Sequence, residues 1–238
     1  MNHSQRHRGP NPKDIGLFSD RHVPALREAL KDYCWLLSKG YTAKSSLKLV
    51  GDRFSLVERQ RLLLMRIGCT ESQAKNRFQK SIPANQLADR EIFVDGFNVL
   101  ITIEAALSAG FIFVGHDGCL RDMSSIHGTY RRVQETHAAI ELVGQTFHKL
   151  GTGTVHWLLD KPVSNSGRLK TILREIAEPN GWDWNIELHP SPDYELKTMN
   201  QLTVTTDAVI LDSVDEWFNL NKYVVENSIP NAKCIDLN

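Results

Sequence analysis

Two different hydrophobic periods divide the chain near residue 90. Before it, apolar positions recur at helical spacing: Ala25, Leu26, Leu30, Tyr33, Leu36 and Leu37 fall on one face of a helix that Ser19 or Asp20 would cap and Lys39-Gly40 would end. Ser45 and Ser46 precede a short apolar piece, Leu47 to Val50. Ser55 with Glu58, and Thr70 with Gln73, set a carboxylate or amide three residues after a hydroxyl, the spacing in which each group satisfies a backbone N–H at a helix start. They predict helices from Ser55 to Ile67 and from Thr70 to Gln79 joined around Gly68, an arrangement like a helix-turn-helix. Tyr33, Trp35 and Tyr41 are expected in a core rather than stacked on bases.

After Glu91 short Val/Ile/Leu/Phe runs alternate with helical stretches. Ile92 to Val94 reads as a buried strand ending in an Asp95-Gly96-Phe97-Asn98 loop, and Phe111 to Val114 with turn residues 115–118 as an arm of a hairpin. A long helix from His127 to Leu150 follows, then a strand Thr154 to Leu159 ending in Asp160, a helix Ser166 to Ala177, a strand Asn185 to Leu188, and a segment Leu202 to Thr205 ending near Asp207. Strands alternating with helices predict an α/β fold with a mainly parallel sheet. The expected organisation is a basic all-α domain over residues 1–88, helix-turn-helix-like in its later part, and an α/β domain over 89–238.

Composition narrows the class without naming it. Hydrophobic residues make 41% and charged residues 24%, with a mean hydropathy of -0.31, which excludes collagen-like and disordered chains. No apolar run approaches the ~20 residues of a membrane span, and Met1 to Pro12 lacks the apolar stretch of a secretory signal. Cys34, Cys69, Cys119 and Cys234 are scattered, so reduced thiols, a cytoplasmic location and no membrane partner are expected. No phosphate-binding G-x-x-x-x-G-K-[ST] and no dinucleotide-binding G-x-G-x-x-G is present. The zero net charge conceals an asymmetry: residues 1–90 hold 17 Lys and Arg against 8 Asp and Glu, and residues 91–238 hold 11 against 20. A basic half facing a phosphate polymer and an acidic half collecting metal-binding carboxylates would give this; so would two surfaces that dock on each other.

The candidate chemistry sits at strand ends. In an open α/β sheet ligands bind outside the carboxyl ends of the strands, where Asp95, Asp160 and Asp207 each follow an apolar run. Three carboxylates at one edge raise one another's pKa unless a cation neutralises them, so Mg²⁺ or Mn²⁺ on oxygen ligands is the expected cofactor, for polarising a phosphodiester and activating water. The alternative is three Asx residues that merely cap neighbouring N–H groups. The loop Lys161 to Arg168 opens a helix, so Ser164 and Ser166 are candidates for holding a substrate phosphate or are simply caps. His127 and Arg131 are either a proton shuttle and a phosphate clamp or a helix cap and a solvated charge. Arg59 and Lys75 are the cations chosen to hold a polymer.

Ile92-Phe93-Val94-Asp95-Gly96-Phe97-Asn98-Val99-Leu100 resembles the first strand of PIN-like (NYN/PIN) nucleases, and Leu158-Leu159-Asp160 and Thr205-Thr206-Asp207-Ala208 resemble that superfamily's later acidic strand ends. The whole chain is also similar to an uncharacterised prokaryotic family with a basic helical domain of unknown function before a PIN-like domain. The resemblance covers roughly residues 91–238 and implies a three-layer α/β/α domain acting as a metal-dependent nuclease, on RNA. Carried over, Asp95 is the central metal ligand, Asn98 orients metal-bound water or phosphate, and Asp160 and Asp207 are further acids, with Asp212 a weaker candidate. The usual additional acid is open between Glu104, Asp117, Asp122 and Glu141; Asp122 is favoured and Glu104 is its rival. A non-catalytic RNA-binding or regulatory protein and a nucleotide or small-molecule phosphohydrolase stand as alternatives.

Overall fold

The computed structural model describes residues 7–124 and 130–238. Five helices come first: α1 (Pro12–Leu17), α2 (Val23–Ser38), α3 (Ala43–Arg53), α4 (Glu58–Ile67) and α5 (Glu71–Lys80). Helix α2 buries Leu26, Ala29, Leu30, Tyr33 and Cys34, a stripe at three- and four-residue spacing. Its start differs from expectation, because His22 occupies the cap position without a side-chain bond and Pro24 pre-sets the first turn. Thr70 and Gln73 form the expected reciprocal cap on α5, with Gln73 N–H donating to Thr70 Oγ1 at 3.1 Å and Thr70 N–H donating to Gln73 Oε1 at 3.0 Å. Ser55 is not the cap of α4: it takes a left-handed φ of 52°, and Val57 N–H donates to the Gln60 side chain instead. Trp35 and Tyr41 are 58% and 54% exposed, so of the three aromatics only Tyr33 is in the core.

Strand β1 (Ile92–Asp95) leads directly into α6 (Gly96–Leu107), then β2 (Phe111–Val114), β3 (Leu120–Asp122), α7 (Thr136–Leu150), β4 (Val155–Asp160), α8 (Ser166–Asn180) and β5 (Trp184–His189). The chain ends with α9 (Pro192–Thr198), β6 (Thr203–Val204), α10 (Ala208–Ser213), α11 (Leu220–Ser228) and β7 (Lys233–Asp236). The protein is α/β, with a parallel four-stranded sheet in the order β5-β4-β1-β6 and a second sheet in the order β3-β2-β7. The expected hairpin is the antiparallel β2–β3 pair. No helix among the described residues is long and apolar enough to cross a membrane.

Two expectations fail for physical reasons. Asp95 to Asn98 is not a loop: α6 starts at once, with Asp95 as its cap, and is buried nearly all round, so it lacks the one-sided pattern that marks a surface helix. The helix expected from His127 starts at Thr136; residues 127–129 lie outside the described residues. Tertiary contacts claim the stretch before it, since buried Tyr130 bonds Glu104 and Thr136 Oγ1 donates to the same carboxylate at 2.6 Å.

Strand parity sets the two faces of the parallel sheet. Ile92, Val94, Val155, Trp157 and Leu159 point into the main core under α6, α7, α8 and α11, while Phe93 and Leu158 point the other way, into a smaller cluster under α9 and α10. The second sheet turns Phe113 into the core of the helical segment, where it meets Phe18 edge-on at 4.9 Å, and Met123 and Leu237 join it. The two halves therefore share a core across residue 88.

Candidate active site

In a parallel sheet, residues paired across strands share a face. Asp95 is level with Leu158, so Asp160 lies two residues further along, roughly 6 to 7 Å, on the same face. That face is the one covered by α9 and α10, and both helices begin at the carboxyl ends of strands. Helix α9 brings Asp193 in its first turn, and α10 is capped by Asp207, whose Oδ1 accepts from Val209 N–H at 2.8 Å and Ile210 N–H at 3.1 Å. Strand order reverses here, since β4 lies on one side of β1 and β6 on the other, and a doubly wound sheet opens its crevice at such a reversal. Asp95, Asp160, Asp193, Asp207 and Asp122 line one cleft of about 710 Å³.

The threonines after β6 organise this edge. Thr205 Oγ1 donates to Asp95 Oδ2 at 2.8 Å, and Thr206 N–H donates to Asn98 Oδ1 at 2.8 Å with the Thr206 hydroxyl on the same atom. Asn98 is thus oriented by its oxygen, and its amide group is what it offers the cleft it lines. Gly96 is required between them: a Cβ there would sit 2.4 Å from Leu159 Cδ2 and 3.2 Å from the Leu158 carbonyl, so only glycine lets α6 begin this close to β4.

Electrostatically the edge is strained. Burial, then the fields of Asp193, Asp207 and Asp160, push Asp95 up to about 7 against the lowering effect of the Thr205 hydroxyl. Asp160 is raised by burial and by Asp193; Asp193 is raised by burial and by Asp207, with Lys197 opposing. All donors are hard oxygens, the chemistry that Mg²⁺ and Mn²⁺ prefer and that soft metals do not, and positive charge would relieve the repulsion. Among the described residues, no three His, Cys, Asp or Glu side chains are placed to hold one ion as they stand.

Asp193 was not anticipated from sequence. Its signal was Ser191-Pro192-Asp193 directly after the His189 strand end, a helix start that must lie at the carboxyl edge. Asp122 lines the same cleft, its carboxylate held by the Thr102 hydroxyl at 2.9 Å and Ser124 N–H at 2.6 Å. Glu104 is buried away from the cleft among Arg8, Tyr130 and Thr136. Asp212 pairs with Arg77, and Asp117 is clasped by Arg77 and by Nη1 and Nη2 of Arg121, each at 2.7 Å. Ser166 is buried in the first turn of α8, while Ser164 lends its carbonyl to Tyr130 N–H at 3.1 Å; neither lines the cleft. Lys75 is exposed on α5, Arg131 is exposed in the loop before α7, and His127 lies outside the described residues.

The cations of the helical half are largely committed within the protein. Arg59 pairs with Asp14, Arg61 with Asp52 at 2.8 Å, and Arg77 with Asp117 at 2.6 Å and Asp212 at 2.7 Å. Lys80 donates to the Asp212 carbonyl at 3.2 Å, and Arg66, at the cleft mouth, donates to the Asp122 and Ser124 carbonyls at 2.8 Å. Several of these bonds tie the basic half onto the acidic half.

Residues 84–223, more than half of the chain, match the family described as "Domain of unknown function (DUF5616)", and the chain belongs to it. Residues 25–80 match "Protein of unknown function (DUF434)". The chain is similar to an uncharacterised protein of Methanocaldococcus jannaschii, 28% identical over 202 residues that cover 85% of this chain and 94% of that protein. No solved structure matches it.

Proposed function

We propose that this protein is a PIN-like, Mg²⁺- or Mn²⁺-dependent nuclease that hydrolyses phosphodiester bonds in RNA. The observation that carries the reading is the gathering of Asp95, Asp160, Asp193 and Asp207 in one cleft at the strand-order reversal of a parallel sheet, with Asp95 pushed up to about 7. The DGFN and TTD segments around these acids are the ones that carry the PIN-like resemblance.

Asp95, Asp160, Asp193 and Asp207 would hold the metal after their side chains close on it, and Asp122 lines the same cleft. The bound ion supplies a Lewis acid and a water of lowered pKa. The Thr205 hydroxyl keeps Asp95 from turning away, and Thr206 fixes the amide of Asn98 as a donor for a phosphate oxygen or a water. Cleavage by this route would need no covalent enzyme intermediate.

The test is cleavage of end-labelled single-stranded RNA, structured RNA and DNA with Mn²⁺, Mg²⁺ or EDTA, comparing the wild type with Asp95→Asn and Asp193→Asn, and melting of the same proteins with and without Mn²⁺. Metal-dependent RNA products that both substitutions abolish, with a Mn²⁺-induced rise in melting temperature that they diminish, are expected. RNA binding without turnover in any metal would replace the reading with a binding protein; release of phosphate from mononucleotides alone would replace it with a phosphohydrolase.

A further inference from the structure

The acidic cleft repels the polyanion it is proposed to cut, so attraction must come from elsewhere, and Arg8, Arg59, Arg61, Arg77 and Arg90 of the helical half are already paired with carboxylates. A second concavity of about 260 Å³ lies across the loop from the cleft, lined by Arg131, Arg132 and Arg168 together with Tyr130 and Asn165. It is built, not incidental: Asn165 Nδ2 donates to the Tyr130 carbonyl at 2.8 Å and Tyr130 N–H donates to the Ser164 carbonyl at 3.1 Å, which pins the 130–132 segment against the start of α8 and brings the three guanidiniums to one hollow. Arg8 ties the same segment from the other side through the Arg131 carbonyl at 3.1 Å.

The three arginines are exposed, and none has an acidic partner among the described residues. Residues 1–6 and 125–129 contain no Asp or Glu, so no carboxylate for them is hidden there. Three uncompensated forks in one hollow match phosphate oxygens, which guanidinium binds in pairs. The hollow and the cleft are neighbours by two routes: Val163 lines one and Asn165 the other, and Phe97 of the cleft packs against Tyr130 of the hollow at 5.2 Å between ring centroids.

We infer that Arg131, Arg132 and Arg168 form the phosphate grip for the RNA backbone, holding a phosphate of the strand other than the one lying over the aspartates. This rests on the nuclease reading for its substrate, and it replaces Arg59 and Lys75 as the principal polymer contact.

The experiment measures anisotropy of a labelled single-stranded RNA in EDTA across a salt series, for wild type, Arg131→Ala/Arg168→Ala, and Lys31→Ala, an exposed cation on α2. Cleavage in Mn²⁺ is run beside it, with melting curves as the folding control. The double variant is expected to melt like the wild type, to bind roughly tenfold or more weakly, and to lose about 0.7 per arginine from the log–log salt slope, with Lys31→Ala unchanged. A double variant that binds and cuts like the wild type overturns the grip and leaves the nuclease reading standing. Binding that falls in the double variant while the wild type cuts nothing upholds the grip and overturns the nuclease reading. A wild type that neither binds nor cuts RNA overturns both.

Discussion

Arg77 is the joint between the two halves, and its removal is the sharpest test of how they are held. The side chain is 2% exposed, with Nη1 2.6 Å from Asp117 and Nε and Nη2 2.7 and 2.9 Å from the two oxygens of Asp212. Its carbonyl accepts from Trp217 Nε1 at 2.7 Å. Deleting one member of a buried ion pair costs about 3–5 kcal/mol, because a desolvated charge is left behind. Here Asp117 keeps the Arg121 fork, and Asp212 is 33% exposed and can rehydrate, so Arg77→Ala belongs near the lower end, about 3 kcal/mol. For a chain of this size that lowers the melting midpoint by about 6–12 °C. Urea unfolding followed by tryptophan fluorescence should show one transition, since the halves share a core, shifted to lower urea with unchanged slope. Arg77→Lys keeps the charge and loses the fork, so it should fall between. Lys48→Ala, which breaks an exposed pair with Asp52, should leave the midpoint essentially unchanged. If Arg77→Ala costs no more than Lys48→Ala, the joint is not what holds the halves together.

Two more outcomes follow from the same geometry. Burial pushes the Asp117 carboxyl up, but the forks of Arg121 and Arg77 outweigh it and hold it below the usual carboxylate range; its contribution is therefore complete above the unfolded value of about 3.9 and is lost as pH falls further. Melting temperatures from pH 6 to 2 should drop steeply below about pH 4, and Asp117→Asn, less stable throughout, should flatten that limb; parallel curves would exclude Asp117 as its source. Gly96→Ala drives a methyl into Leu159 and should cost about 1–3 kcal/mol while moving Asp95 off the edge; a variant with an undiminished Mn²⁺-induced melting shift would show that the close approach of α6 to β4 does not position the acids.

Several strand ends and one of the three expected helix caps are legible in local chemistry, while the caps expected from Ser19 or Asp20 and from Ser55 are not formed. The Thr70-x-x-Gln73 cap, the β2–β3 hairpin and the strand ends at Asp95 and Asp160 were all readable, because each depends on a few neighbours in sequence. Helix α6 was not, since burial on every side erases the polar stripe that reveals a helix. The late start of α7 was hidden in Tyr130, whose hydroxyl is captured by Glu104 from another part of the chain. Asp193 was hidden because its relevance depends on parity: only once Leu158 and Asp95 are known to face α9 does an acid at the start of that helix join the other three.

Part of the charge asymmetry between the halves is spent on docking one half against the other. Seventeen cations in the first 90 residues suggested a surface for a polymer, yet Arg59, Arg61 and Arg77 satisfy carboxylates of this same chain, and Arg77 does so across the junction. A count of charges cannot distinguish a cation facing water from one facing an aspartate; a list of pairs can. Read that way, the positive charge left over for a phosphate chain in the acidic half's own surroundings concentrates at Arg131, Arg132 and Arg168, one loop away from the aspartates. On the proposed reading, the acidic edge and the arginine hollow would divide the two tasks of a phosphodiesterase, bringing a cation to one phosphate and holding the rest of the polyanion.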